Sequence, residues 1–243
     1  MIYITGDTHG EISRFSENEA IKNLSSDDFL IICGDFGFVF SEENTITAQI
    51  EAENLDYISS LPFTTLFIDG THENFERLNA YSVETWNGGK VHRVREKILH
   101  LMRGQVFELQ NQKIFTMGGG VSKYGNETEK LRWWMPNGNP LELPNNDEFE
   151  EAKSNLKKHN YKVDLIVTHK APYSVIKGDN IATVKEPPDG ILSDFLDEIV
   201  ETVEYQKWFC GGTHNDRNQN PKLYRHQKRL KYVWLDVIKV DET

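Results

Sequence analysis

Short apolar runs alternate with amphipathic segments in the first third of the chain. Residues 1–4, 29–33 and 63–68 form apolar runs that are too short for helices and suit strands buried on both faces. Between these runs, residues 11–24 and 44–60 carry apolar side chains at roughly helical spacing. This strand–helix–strand–helix–strand order predicts right-handed crossovers and a parallel sheet with helices on its face.

The remainder of the chain predicts a second group of strands. Residues 104–109 and 113–117 flank a short polar turn and predict a hairpin, whereas residues 121–145 predict a long surface excursion. Further strands are predicted at residues 163–168, 207–210 and 230–238, and further helices at residues 147–159 and 190–206. One α/β domain covering residues 1–243 and built on two β-sheets is the simplest architecture for these elements.

Five predicted strands are followed by aspartate or histidine, often beside glycine. The strand ends read Gly6-Asp7-Thr8-His9-Gly10, Gly34-Asp35, Gly70-Thr71-His72-Glu73, Thr168-His169 and Gly211-Gly212-Thr213-His214. Asp7 and His9 are two positions apart, so both side chains point the same way at an extended strand end. A carboxylate and an imidazole together suit Mn, Fe or Zn. A polar turn could explain any one strand end, but five in this order favour a ligand site at the carboxyl ends of the strands.

Composition and charge narrow the class of protein. The 243 residues are 38% apolar and 27% charged, as in ordinary globular proteins, and no apolar run approaches the ~18 residues that a membrane span needs. The net charge of −11 argues against a broad nucleic-acid-binding surface. Cys33 and Cys210 lie in apolar runs and are expected to be buried free thiols. Together with an N-terminus that lacks a signal-peptide pattern, they favour a cytoplasmic location and no membrane attachment.

The order of the strand ends resembles that of the calcineurin-like metallophosphoesterases. Their pattern is Asp-x-His, Gly-Asp, Gly-Asn-His-Asp/Glu, His and Gly-His-x-His, each after a strand, and the resemblance extends from Asp7 to His214. It is strongest for small bacterial and phage-type members, through Asp69-Gly70-Thr71-His72-Glu73-Asn74-Phe75 and Met102-Arg103-Gly104-Gln105-Val106-Phe107-Glu108. The resemblance implies a four-layer fold, in which two β-sheets pack as a sandwich flanked by helices.

The resemblance also implies a two-metal site bridged by Asp35. The first metal would be held by Asp7, His9, Asp35 and His214. The second would use Asp35, His169 and the family's Asn and His, but Thr71 and Gly212 stand at these last two positions. Because both changes affect the same metal, we expect one firmly bound Mn, Fe or Zn ion and a second ion that is weakly bound or absent.

The activity implied by the resemblance is hydrolysis of a phosphate mono- or diester. A metal-bound hydroxide would attack phosphorus, and His72 matches the general acid that protonates the leaving group. In the protein-phosphatase branch an aspartate orients this histidine, but Phe38 stands at that position here. Lys123, Tyr124 and Arg217 are further candidates for contacts with the substrate.

Two other functions remain open at this stage. Thr71 and Gly212 favour a catalytically impaired protein that binds a phosphorylated ligand, or an enzyme of low activity. A nuclease is the other alternative, although the acidic net charge counts against it. Four histidines match no motif and are expected to be surface or core residues: His92, His100, His159 and His226. The substrate, the native metal and the oligomeric state do not follow from the sequence.

Overall fold

A computed structural model describes residues 1–122, 139–178, 190–214 and 229–242 of the chain. Its strands are β1 (Ile2–Thr5), β2 (Phe29–Ile32), β3 (Thr64–Phe67), β4 (Val83–Trp86), β5 (Gly89–Arg95), β6 (Ile98–Leu101), β7 (Gln105–Leu109), β8 (Gln112–Met117), β9 (Leu165–Thr168), β10 (Lys207–Cys210), β11 (Leu230–Tyr232) and β12 (Ile238–Lys239). Its α-helices are α1 (Ser13–Ser16), α2 (Glu19–Lys22), α3 (Ile46–Ser60), α4 (Phe75–Asn79), α5 (Asn146–Lys158), α6 (Tyr173–Gly178) and α7 (Ile191–Thr202). Two 3₁₀ turns, Pro140–Glu142 and Val240–Glu242, complete the described elements.

The strands form two mixed sheets. The first has the order β12-β1-β2-β3-β6-β5-β4, in which β1, β2, β3 and β6 are parallel and the outer strands β12, β5 and β4 are antiparallel to their neighbours. The second has the order β11-β10-β9-β8-β7, and only its β7–β8 hairpin is antiparallel. The predicted parallel arrangement and the predicted hairpin are therefore confirmed.

Three apolar clusters separate four layers. The middle cluster joins residues of both sheets, such as Ile31 and Leu66 of the first and Ile114 and Phe209 of the second. A second cluster fills the space between the first sheet and α3, and a third lies between the second sheet and helices α5 and α7. Both faces of each sheet are thus covered, which explains why the core strands read as continuous apolar runs. The expected sandwich of two sheets flanked by helices is confirmed.

Two segments differ from the prediction. Residues 81–103, for which the sequence predicted no strands, form β4, β5 and β6 and extend the first sheet. The single strand predicted for residues 230–238 is wrong, because β11 pairs in the second sheet and β12 in the first. Between them the carbonyl of Trp234 accepts hydrogen bonds from the Arg14 guanidinium (2.6 Å) and from the backbone N–H of Gly6 (3.2 Å). These bonds draw the chain from one sheet to the other.

In the part of the chain that the structure describes, no helix has the length and apolar composition that crossing a membrane requires.

A network of buried polar side chains joins the first sheet to α5. Asp69, which follows β3, accepts hydrogen bonds from Arg103 (2.6 and 2.9 Å), and Arg103 also reaches Glu148 on α5 (3.3 Å). His100 lies 3.2 Å from the other Asp69 oxygen, and its Nδ1 lies 3.0 Å from Nδ1 of His92. Because the Asp69 carboxylate can only accept, His100 Nε2 donates to it, so in a neutral His100 ring Nδ1 carries no proton and accepts a hydrogen bond from His92 Nδ1–H.

We expect His92 to make stability depend on pH. Burial, together with the neighbouring His100, lowers the pKa of His92 to about 4, whereas the unfolded chain has a value near 6.5. As the pH falls from about 6.5 to about 4, the unfolded state therefore takes up a proton that the folded state cannot, and up to about 3 kcal/mol of stability is lost. In His92→Asn, urea unfolding across this range should show a shallower loss of free energy than in the unchanged protein. His159→Asn, at the end of α5, is the matched control and should keep the original slope.

Candidate metal centre

Asp7 lies at the point where β1 meets the second sheet. A Cβ atom on Gly6 would come within 2.1 Å of the carbonyl oxygen of Val233, so only glycine allows the chain to pass there. Asp7 is 1% exposed, and its two carboxylate oxygens accept hydrogen bonds from the backbone N–H of Gly212 at 3.1 and 3.0 Å. The second sheet therefore fixes the orientation of a carboxylate that the first sheet supplies.

Four side chains converge at these strand ends. Asp7, His9, Asp35 and His214 each offer one ligand atom, and the four atoms all lie within 4.8 Å of one another. His9 Nε2 and His214 Nε2 are 2.9 Å apart, His214 Nε2 lies 3.2 Å from Asp7, and His9 Nε2 lies 3.9 Å from Asp35. Two imidazole nitrogens at this distance direct their lone pairs at one point unless a proton or a cation lies there. This donor set fits a divalent transition metal.

Asp35 is held by the backbone that follows β3. Its Oδ1 accepts hydrogen bonds from the backbone N–H groups of Thr71 (2.5 Å) and His72 (2.9 Å), and Oδ2 is the oxygen nearer to His9. Burial would raise the pKa of this carboxyl, but His169, His72 and His9 outweigh it and hold the pKa well below its usual range. Asp35 is thus an oriented anion at the centre of the site.

Glu73 connects the loops that carry Asp35 and His72. It is 1% exposed, its Oε1 accepts the backbone N–H of Phe36 at 2.7 Å, and its Oε2 accepts that of Gly70 at 2.8 Å. Each oxygen therefore ties down a residue next to a site residue. The sequence singled Glu73 out only as a neighbour of His72, because a carboxylate that binds two backbone groups leaves no sequence pattern.

The geometry of the strand ends agrees with a comparison of sequences. The model of the calcineurin-like phosphoesterase family matches residues 1–216. The chain belongs to this family. A solved structure of a protein serine/threonine phosphatase from Saccharomyces cerevisiae, described as similar to human phosphatase PP5, aligns with a TM-score of 0.39 at 14% identity. The alignment covers 96% of this chain and 66% of that phosphatase. No curated protein sequence matches this chain significantly.

His169 lies beside the phosphoesterase centre but outside the group of four. It is 1% exposed, and its Nδ1 donates to the carbonyl of Cys33 at 3.1 Å, so the neutral ring has an unprotonated Nε2. That Nε2 lies 3.6 Å from Asp35 Oδ1. A Cβ on Gly34, whose φ is +92°, would lie 2.2 Å from the ring, so glycine is required next to Asp35. His169 is therefore available as a ligand on the Oδ1 side of Asp35.

The two positions at which this phosphoesterase departs from the family pattern flank His169 and Asp35. The Thr71 hydroxyl lies 3.3 Å from Asp35 Oδ1. Gly212 has a φ of +66°, and a Cβ there would lie 2.9 Å from the carbonyl oxygen of His169 and 3.2 Å from its Nε2. A histidine at position 212 would therefore be strained and would crowd His169. Gly212 contributes a backbone N–H to Asp7 instead of a metal ligand.

His72 is packed between aromatic rings. Its ring stacks on Phe40 with a centroid distance of 4.7 Å and an interplanar angle of 12°, and it meets the edge of His9 at 4.7 Å. Burial lowers the pKa of His72. Phe38, at the position of the family's orienting aspartate, is fully buried in the core. The sequence did not single out Phe40, because it carries no ionisable group and matches no motif.

Three predicted substrate contacts cannot be compared with this geometry. Lys123, Tyr124 and Arg217 lie outside the described residues.

Replacing Glu73 should loosen the centre. In Glu73→Gln one of the two backbone N–H groups faces an amide NH₂ and loses its acceptor, which we expect to cost about 2 kcal/mol of unfolding free energy. Asp35 and Thr71 lie in the two loops that Glu73 connects, so Mn²⁺ affinity should fall as well. Calorimetry can measure both the unfolding free energy and the metal affinity. Glu76→Gln, exposed on α4, is the control and should change neither. Unchanged metal affinity in Glu73→Gln would mean that Asp35 is held without this clamp.

Proposed function

We propose that the protein is a metal-dependent phosphoesterase that hydrolyses a phosphate mono- or diester in the cytoplasm. The observation that carries the proposal is the convergence of Asp7, His9, Asp35 and His214 within 4.8 Å at the carboxyl ends of strands in a calcineurin-like chain. A divalent ion bound there would supply Lewis acidity and a water of lowered pKa. Mn, Fe and Zn all suit this mixture of carboxylate and imidazole ligands.

The residues of the chain prepare the site for hydrolysis. The Gly212 N–H and the N–H groups of Thr71 and His72 fix the two carboxylates before a metal binds. His72 stands next to His9, where its protonated ring can give a proton to the leaving-group oxygen of a bound ester. Burial lowers the pKa of His72, which makes the protonated ring a stronger acid.

We further propose that a second ion binds weakly or not at all. On the Oδ1 side of Asp35, this chain offers His169 and the Thr71 hydroxyl, which is a weaker neutral ligand than an amide oxygen. Gly212 offers no side chain. The same residues support the alternative function, in which the protein binds a phosphorylated ligand without hydrolysing it.

Metal content and hydrolysis, measured together, separate these functions. We expect about one Mn²⁺ per chain and hydrolysis of p-nitrophenyl phosphate or bis(p-nitrophenyl) phosphate that rises with added Mn²⁺. Asp7→Asn should lose both metal and activity, because an amide is a poorer ligand than a carboxylate. Asp27→Asn, at an exposed position, should change neither. If a folded, metal-loaded protein turns over neither ester at any Mn²⁺ concentration, the result would contradict the enzyme and support the function of binding a phosphorylated ligand.

The role of His72 can be tested through the leaving group. In His72→Gln, an ester with a poor leaving group such as an alkyl phosphate should react about 10²–10⁴-fold more slowly, because its oxygen needs a proton. A p-nitrophenyl ester, whose leaving group is already a weak base, should lose far less, and Mn²⁺ binding should be unchanged. Equal losses for both esters would contradict proton donation by His72.

A further inference from the structure

Lys170 is a cation beside the metal centre that belongs neither to the four-residue group nor to the Glu73 contacts. It directly follows His169 at the end of β9 and is partly exposed. The Thr168 hydroxyl donates to the Lys170 carbonyl at 2.6 Å and accepts a hydrogen bond from the Trp208 ring N–H at 2.8 Å. The backbone of Lys170 is thus held in place by the same strand end that supplies His169.

The side chain of Lys170 lies against the glycine run that follows β8. A Cβ on Gly120 would come within 2.2 Å of Lys170 Cε and 3.2 Å of its Nζ, so the missing side chain at Gly120 makes room for the lysine. The N–H of Gly120 donates to the carbonyl of Glu142 at 3.1 Å, which holds the backbone at Gly120 in place. The stem of Lys170 therefore packs against a backbone segment that is itself held in place.

Within the described segments, the ammonium group forms no direct ion pair. Among the residues that the structure describes, no carboxylate lies within 4 Å of Lys170 Nζ. Its positive charge nevertheless acts to lower the pKa values of Asp35, His214 and Glu142, which come from three different parts of the chain. Lys170 therefore adds a positive charge to the region where His169 approaches Asp35 and where the second-metal ligands are altered.

We propose that the Lys170 ammonium takes the place of the second metal ion and holds an oxygen of the substrate phosphate next to the first ion. The inference rests on the proposed function. In a two-metal site the second ion neutralises phosphate charge and fixes the phosphate for in-line attack. An ammonium group is a compact charge with three donors and can bind the same oxygen. Its charge also repels a second divalent ion from His169.

The test uses Lys170→Met, which keeps most of the stem and removes the charge, and Lys170→Arg, which keeps the charge. With Mn²⁺ present, calorimetry should show that Lys170→Met binds inorganic phosphate about 10- to 100-fold more weakly, as expected for the loss of a charge-assisted hydrogen bond. Lys170→Arg should recover most of this affinity. Lys157→Met, at an exposed position on α5, should bind phosphate as the unchanged protein does.

Metal binding gives a readout that a purely structural lysine would not produce. Removing a cation near Asp35 and His214 should make Mn²⁺ bind more tightly in Lys170→Met, and the stoichiometry should rise from one towards two. If Lys170→Met fails to fold, Gly120→Ala replaces it, because the added methyl displaces the lysine stem and leaves its charge. That variant should also weaken phosphate binding, without lowering the affinity for the first Mn²⁺.

The outcomes separate this inference from the proposed function. Unchanged phosphate affinity in the folded variants, or two tightly bound Mn²⁺ ions in the unchanged protein, would overturn the role of Lys170. Lysine-dependent phosphate binding by a protein that hydrolyses no ester would support the inference and refute the proposed enzyme. A protein that binds neither Mn²⁺ nor phosphate would refute both.

Discussion

The carboxylate of Glu73 is the contact on which the rest of the centre depends. It is buried, and its two oxygens accept hydrogen bonds from backbone N–H groups at two different strand ends. Burial, together with the nearby Asp35 and Asp69, raises the pKa of Glu73 well above its usual value. A buried polar group without hydrogen-bond partners is costly, so its two hydrogen bonds must be kept together. They are made only when the loops after β2 and β3 lie side by side, and that arrangement lets Asp35 accept the N–H groups of Thr71 and His72. Asp35 itself has a φ of +48°, a conformation that costs about 1 kcal/mol or more for a residue with a side chain and that these contacts offset.

The sequence predicted those parts of the structure that depend on local pattern. Buried strands, the helices between them and the polar strand ends are all encoded in consecutive residues, and they sufficed to predict the two sheets and the group around Asp7. It did not predict β4 to β6. No side chain of β4 is buried, β5 mixes buried and exposed positions, and β6 is fully buried between β3 and β5. Nor did it predict the network of His92 and His100 or the Glu73 clamp. These features depend on contacts between residues that folding brings together, such as Asp69 with His100 and Glu73 with Phe36.

Two phenylalanines shape the surroundings of His72: Phe38 stands at the position of the family's orienting aspartate, and Phe40 stacks on the His72 ring. An orienting aspartate would fix the His72 ring and stabilise its protonated form. A stacked phenylalanine fixes the plane of the ring but contributes no charge. The protonation of His72 is then governed by burial, which disfavours the proton, and by the charges of the centre itself, among which Asp35 favours the proton most. His72 and the four residues around Asp7 therefore form a single electrostatic unit.

The net charge of the centre also bears on which phosphate ester would suit it. If one divalent ion binds as proposed, the two carboxylates of the four-residue group, Asp7 and Asp35, would cancel its charge. Lys170 would then leave the centre with one net positive charge, where a second ion in place of the lysine would leave two. A phosphodiester carries one negative charge and a phosphomonoester close to two near neutral pH. A centre with one metal ion and one lysine would therefore match the charge of a diester more closely than that of a monoester. Because the lysine is covalently attached, this match would not depend on the concentration of a second metal.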